Sequence, residues 1–178
     1  TRKRICIVTR DIAGPVRNGG IGTAFSHLAK TLVQGDYNVT VLYALGQYCE
    51  DRDCEYWKEY YHEHGIDLVP LPEYEHVEAS AGVKESYSAY LWLREQEPFD
   101  MVHVHDWRGL GYYSLQAKRQ GMAFADTQFC VQLHSPSLWH HLGNSEPFQH
   151  YEQLELVAME RASAGFADHV VSPSRYML

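Results

Sequence analysis

Positive charge is scarce in this 178-residue chain, where 15 Lys and Arg stand against 23 Asp and Glu for a formal net charge of -8. Binding a phosphate backbone takes clustered Lys and Arg to displace counterions, so nucleic acid is excluded as a general partner. Long apolar runs are missing as well. The basic start, Thr1 to Arg4, is followed by only five apolar or small residues before Arg10 and Asp11. That is too short for the core of a signal peptide and far too short for a bilayer span. Cysteine is limited to four residues. Cys6 and Cys130 fall inside apolar runs, where a thiol behaves as a small hydrophobe. Cys49 and Cys54 have no second pair at matching spacing, so neither a zinc ribbon nor a disulfide framework is supported, and a reducing, cytoplasmic setting is expected.

A chain of this length hides roughly 70% of its unfolded surface in one core, which makes a single domain the expectation. The sequence opens on Thr1 and ends at Arg175 to Leu178, where a helix is only beginning. Both ends read as cuts from a longer polypeptide. Between them, two periodicities alternate. Ile5 to Thr9 is a continuous β-favouring run of the kind buried on both faces of a parallel sheet. Apolar residues then recur at Ile21, Phe25, Leu28, Leu32 and Val33 with helical spacing, closed by Gly35.

The pattern continues with a strand over 38–44, a helix over 53–64, a short strand over 66–71 and a loop over 72–82. A helix over 83–96, a strand over 100–105, a helix over 109–119 and a strand over 129–133 follow. The last third predicts a long helix over 148–164, a strand over 169–171, and a helix start at Ser172-Pro173. Strands alternating with helices imply parallel strands joined by right-handed crossovers. The expected fold class is therefore α/β, a doubly wound, mostly parallel sheet with helices on both faces.

Ligands of such sheets bind beyond the carboxyl ends of the strands, near the point where strand order reverses. Three loops are implicated, after Thr9, after His105 and after Leu133. In the first, Asn18-Gly19-Gly20-Ile21-Gly22 stands directly before a helix. Backbone N–H groups there suit an anion such as phosphate, or the glycines simply make the turn and let the helix pack. A dinucleotide fingerprint is disfavoured, because Phe25 occupies the place of its third glycine and Leu42 to Leu45 offers no carboxylate for a ribose. A P-loop is excluded, since no Gly-Lys-Ser/Thr follows.

The second loop reads His105-Asp106-Trp107. It combines a carboxylate that accepts sugar hydroxyls with a flat apolar face that suits pyranose C–H surfaces. The alternative is a helix cap at Asp106 and a core tryptophan at Trp107. The third loop begins with His134, an imidazole able to hydrogen-bond a sugar hydroxyl or simply to serve the structure. His105, Asp106, His134, His140 and His141 also invite a zinc reading, but no His-Glu-x-x-His or comparable ligand spacing is present, and no metal is expected.

Taken together, Ile5 to Thr9, Arg17 to Gly22, Phe99 to Trp107, Val131 to His134, Glu160, and Ala167 to Met177 resemble the first domain of two-Rossmann (GT-B) retaining glycosyltransferases. That group includes glycogen and starch synthases and sucrose synthase. The resemblance covers nearly the whole chain. It implies a Rossmann-like N-terminal, acceptor-side domain over 1–178, with a C-terminal donor-binding Rossmann domain following it in the same polypeptide. The 1–178 domain is then expected to be inactive alone. The implied activity is transfer of a hexosyl-type sugar from a nucleotide-diphosphate sugar, as substrate rather than cofactor, to a carbohydrate acceptor with retention of configuration. By the same resemblance, Asp106 and His134 are the candidate catalytic residues. Arg17, Gly19, Gly20, Gly22, His105 and Trp107 are the candidate substrate-binding residues, and Ser172 to Met177 resembles the segment leading to the second domain. Two departures are visible: Arg17 replaces a Lys, and Thr23 stands where glycogen and starch synthases usually carry Asp. The alternatives are a non-catalytic sugar- or phosphate-binding module and a nucleotide-sugar epimerase of the same fold, which usually lacks the His-Asp-Trp arrangement.

Overall fold

The computed structural model describes residues 2–175. Its strands are β1 (Arg4–Thr9), β2 (Asn38–Tyr43), β3 (Ile66–Pro70), β4 (Met101–His105), β5 (Gln128–Gln132) and β6 (His169–Val171). They form a six-stranded sheet in the order β3-β2-β1-β4-β5-β6, with every adjacent pair parallel. The helices are α1 (Gly20–Gln34), α2 (Cys54–Glu63), α3 (Ala81–Glu95), α4 (Tyr112–Arg119), α5 (Ser137–Asn144) and α6 (Tyr151–Phe166). This is the expected doubly wound α/β fold. The chain winds outward from β1 to β3, then crosses back to place β4 on the other side of β1. The strand order therefore reverses between β1 and β4, and the crevice at their carboxyl ends is the natural ligand position.

Side chains alternate across a strand, so each strand feeds both faces of the sheet. Cys6, Val8, Val102, Val104, Phe129 and Val131 pack with Trp92 and Leu93 of α3 and Leu115 of α4. Ile7, Val39 and Val41 face the other way, against Phe25 and Ala29 of α1 and Tyr61 of α2. On β4 the same alternation sends His103 and His105 to the α1 face, where both rings meet the edge of Phe25. Burial of Phe25 contributes about 1.5–3 kcal/mol and fixes the start of α1 over the β1–β4 crevice.

Most observed boundaries fall within two residues of the sequence expectation, α3 beginning at Ala81 inside the expected 72–82 loop, and the largest departures are at three places. First, α4 begins at Tyr112 rather than at residue 109, because Trp107–Gly109 forms a tight 3-10 turn with Arg108 at φ 64° and Gly109 at φ 60°. A side chain at Gly109 would press on the Met159 carbonyl carbon at 3.0 Å, so glycine here lets α6 approach the turn. Second, α6 starts at Tyr151 rather than at Phe148, set by a capping box in which Gln153 accepts from the His150 amide at 3.0 Å. Third, α5 was not expected at all. It is only eight residues long, too short for helical periodicity to stand out in the sequence. The expected helix start at Ser172-Pro173 runs into Tyr176 to Leu178, which lie outside the described residues.

Candidate functional site

A cavity of about 430 Å³ opens at the β1–β4 reversal point, lined by Asp11, Gly19, Gly20, Ile21, Trp107, His134 and Ser135. Its walls come from the loops after β1, β4 and β5. Of nine buried side-chain nitrogens and oxygens without a hydrogen-bond partner among the described residues, seven belong to Arg10, Asp11, Glu85, His105, Asp106, Arg108 and His134. Native proteins leave few such atoms, because each costs about 1–3 kcal/mol. Asp11 and His134 line the cavity itself, and the other five sit at or after the ends of β1 and β4 or, for Glu85, against Arg10 and Arg108.

The glycine loop is organised by a residue that belongs to no motif. Asp11 follows β1 closely, and its Oδ2 accepts the Gly19 amide at 3.0 Å and the Gly22 amide at 3.1 Å. It thus acts as an internal anion at the start of α1, where unsatisfied amides and the helix dipole favour negative charge. A side chain at Gly22 would collide with the Asp11 carboxylate and with Asn18, so Gly22 is required for seating Asp11. Gly20, by contrast, has nothing within 4 Å of where a Cβ would stand, and that open space belongs to the cavity. Thr23 steadies the loop by donating to the Gly19 carbonyl at 3.0 Å while accepting from Asn18 Nδ2 at 3.0 Å.

Behind the cavity lies a layer of histidines. The rings of His103, His105 and His134 stand 5.4, 5.7 and 5.8 Å from the Phe25 ring centre. His105 is fully buried, accepts the Arg10 amide at its Nε2 at 3.4 Å, and is pushed down to about 3 by burial and then by its imidazole neighbour His134. His103 and His134 are also lowered, chiefly by burial. All three are neutral imidazoles at physiological pH. Asp106 is 1% exposed, and its Oδ1 accepts the His134 amide at 3.0 Å. Burial pushes its carboxyl up to about 6, opposed by that amide. The bond ties the loop after β4 to the loop after β5 and sets where His134 enters the cavity wall.

A second buried carboxylate completes this tie. Glu160 of α6, 2% exposed, accepts the Arg108 amide at 2.8 Å, the Ser137 amide at 2.7 Å and the Ser137 hydroxyl at 2.7 Å. It stabilises the left-handed turn at Arg108 and the first turn of α5 together. Burial raises its pKa, with these donors opposing. In front of it, Arg10 and Arg108 share Glu85 of α3, with Nε to Oε2 separations of 3.4 and 3.7 Å. Both guanidiniums flank Trp107, at 5.4 and 5.9 Å from its ring centre.

Of the residues expected from the sequence, Gly19, Gly20, Trp107 and His134 meet in one cavity lining. The others stand apart from it. Gly22 is buried and its amide is engaged by Asp11. His105 and Asp106 are buried and absent from the lining, and they accept hydrogen bonds from the Arg10 and His134 amides. Arg17 is exposed, and its backbone amide donates to Glu50 Oε2 at 2.8 Å, outside the cavity wall. Sequence reasoning missed Asp11, Glu85, Arg108 and the role of Glu160. Only the position of Asp11 near the end of β1 could have drawn attention to it. Among the described residues, no group of three or more His, Cys, Asp or Glu is placed to hold a metal ion, and no helix is long and apolar enough to cross a membrane.

Comparison with known proteins follows the same lines. The family described as the glycosyl transferase 4-like domain matches residues 19–178. No curated protein sequence matches the chain. Among solved structures, sucrose-phosphate synthase from Thermosynechococcus elongatus is similar with a TM-score of 0.62 at 15% identity, over 95% of this chain and 42% of its own. The catalytic domain of starch synthase IV from Arabidopsis thaliana, bound to ADP and acarbose, gives 0.51 at 14% identity, over 75% of this chain and 34% of its own. This chain therefore spans less than half the length of either, and at such identities the likeness is one of fold.

Proposed function

The chain belongs to the glycosyl transferase 4-like family, and from that membership we propose that it forms one wall of a site that moves a sugar from a nucleotide-diphosphate sugar to a carbohydrate acceptor with retention of configuration. In this reading a second Rossmann domain of the same polypeptide supplies the opposite wall and most contacts to the nucleotide. Activity belongs to the two together, in a cytoplasmic enzyme. The observation that carries the reading is the meeting of Gly20, Trp107 and His134 around one cavity at the strand-reversal point, amid unsatisfied buried polar atoms.

The residues divide the work by their chemistry. Trp107 offers a flat face for the C–H surface of a pyranose. Gly19 and Gly20 let the sugar approach backbone that carries no side chain. A neutral imidazole at His134, its entry set by the Asp106 bond, is suited to hydrogen-bond a sugar hydroxyl whose contact tightens as positive charge builds at the anomeric carbon. Asp106 and His105 are positioning residues in this scheme, because both are sealed from the cavity.

The test is incubation of the protein with UDP-, ADP- and GDP-sugars, measuring release of nucleoside diphosphate with and without carbohydrate acceptors. Acceptor-dependent release supports the transferase. Saturable sugar binding with no release under any pairing would support the non-catalytic binding module instead.

A further inference from the structure

The glycine loop, which the sequence marks for phosphate, already holds a carboxylate. Any oxyanion placed against the Gly19 and Gly22 amides would meet Asp11, which occupies both of them and also lines the cavity. Unbalanced positive charge lies a short distance along the same rim. Arg10 directly follows β1 and Arg108 lies in the turn after β4, so both stand at the strand-reversal point. Two guanidiniums share one carboxylate there, Glu85, and it is the only acceptor their side chains meet among the described residues. The separations of 3.4 and 3.7 Å are longer than a good charge-assisted hydrogen bond, and apart from this ion pairing neither Nε atom nor Glu85 Oε2 has a hydrogen-bond partner. The next carboxylate, Glu160, has both oxygens engaged by the Arg108 and Ser137 amides and the Ser137 hydroxyl.

Both arginine side chains are 20% exposed, enough to meet a ligand from the crevice. Glu85 lines a second cavity, of about 540 Å³, at the ends of β2 and β3, while Trp107 lines the first. The arginines line neither cavity themselves, but each contacts one lining residue of both, Glu85 on one side and Trp107 on the other. We propose that Arg10 and Arg108 form a binding fork for a phosphate group borne by one of the substrates, and that the glycine loop, closed by Asp11, receives sugar hydroxyls instead. This rests on the reading of the crevice as a sugar-transfer site, and it moves the phosphate contact from the loop amides to the two guanidiniums.

Calorimetric titration of the protein at low salt with inorganic phosphate, glucose 6-phosphate, UDP and glucose tests the fork. Phosphate-bearing ligands should bind at least roughly tenfold more weakly to Arg10→Gln and to Arg108→Gln, while glucose affinity is unchanged. Preference for glucose 6-phosphate over UDP would assign the phosphate to the acceptor, and the reverse to the donor. Glu85→Gln removes the competing carboxylate and should tighten phosphate binding several-fold, a gain that misfolding cannot imitate. Phosphate affinity that ignores these three substitutions, or that is lost instead in Gly20→Val, overturns the fork, as does a protein that binds none of the phosphate probes. Absence of sugar transfer alongside arginine-dependent phosphate binding would leave the fork standing and remove only the transferase reading.

Discussion

Removing the Glu160 carboxylate should damage this domain more than removing any other single polar group of the site. The side chain is 2% exposed and accepts three hydrogen bonds, from the Arg108 amide, the Ser137 amide and the Ser137 hydroxyl. Glu160→Ala leaves two backbone donors buried without acceptors. Each orphaned donor costs about 1–3 kcal/mol, and loss of a buried, fully engaged charged partner about 3–5 kcal/mol as a whole. The left-handed Arg108 turn, strained by about 1–2 kcal/mol, also loses the bond that holds it. Glu160→Gln keeps the shape but presents an NH₂ to one of the donors. Its cost should be about half, reduced further because the amide escapes the burial penalty that raises the Glu160 pKa. Urea unfolding followed by far-UV circular dichroism measures both. With a slope of about 2 kcal/mol per molar urea, Ala should lower the midpoint by roughly 2 M and Gln by roughly 1 M. Amide hydrogen exchange should quicken selectively at Arg108 and Ser137. An Ala variant within about 0.5 kcal/mol of the parent, the range of ordinary surface substitutions, would show that the three bonds do not act as the tie described above.

Gly20 and Gly22, two positions apart, should respond in opposite ways. Gly20→Val enters open space, so stability should hold while sugar transfer collapses; Gly22→Ala meets the Asp11 carboxylate and should lower the melting temperature at a cost of about 1–3 kcal/mol. His134→Ala should reduce turnover more than donor affinity, read from steady-state kinetics as a fall in kcat that exceeds any rise in KM; an effect confined to KM would make His134 a ground-state contact only. Stability against pH should show two opposing groups. His105, pushed down to about 3, stabilises the fold above its ordinary value of 6.5, and that support is lost as pH falls through the interval to 3. Asp106, pushed up to about 6, works the other way, adding stability as pH falls from 6 towards 3.8. Between pH 7 and 5 these two contributions are on the order of 2 and 1.4 kcal/mol and oppose one another, so removing Asp106 takes away an offset to the loss at His105. Asp106→Asn should begin its decline near pH 6.5, and a profile superimposable on the parent would refute the assignment.

The fold was legible because it is written in period: buried runs such as Ile5 to Thr9 and the stripe through Phe25 and Leu28 specify parallel strands and a covering helix without any knowledge of partners. The rim of the site was legible for a related reason. Strand order fixes which loops share an edge, so Gly20, Trp107 and His134 meet by topology alone. What those loops do with their polar groups was not legible, since it depends on contacts between residues far apart in the chain. Asp106 reads as a ligand for hydroxyls, yet its neighbour across the sheet, the His134 amide, captures it. The glycine loop reads as a phosphate cradle, yet Asp11 reaches it first. Glu160 falls in a helix whose sequence gives no sign that three donors converge on it. In each case a carboxylate near the crevice accepts hydrogen bonds from backbone amides elsewhere in the chain. Beside them the guanidiniums of Arg10 and Arg108 share one carboxylate, Glu85, so the acidic composition of the whole chain does not describe the local charge at this edge. Motifs alone present this edge as an anion cradle; the contacts across it show the cradle's amides already taken by Asp11 and two guanidiniums sharing the single carboxylate of Glu85.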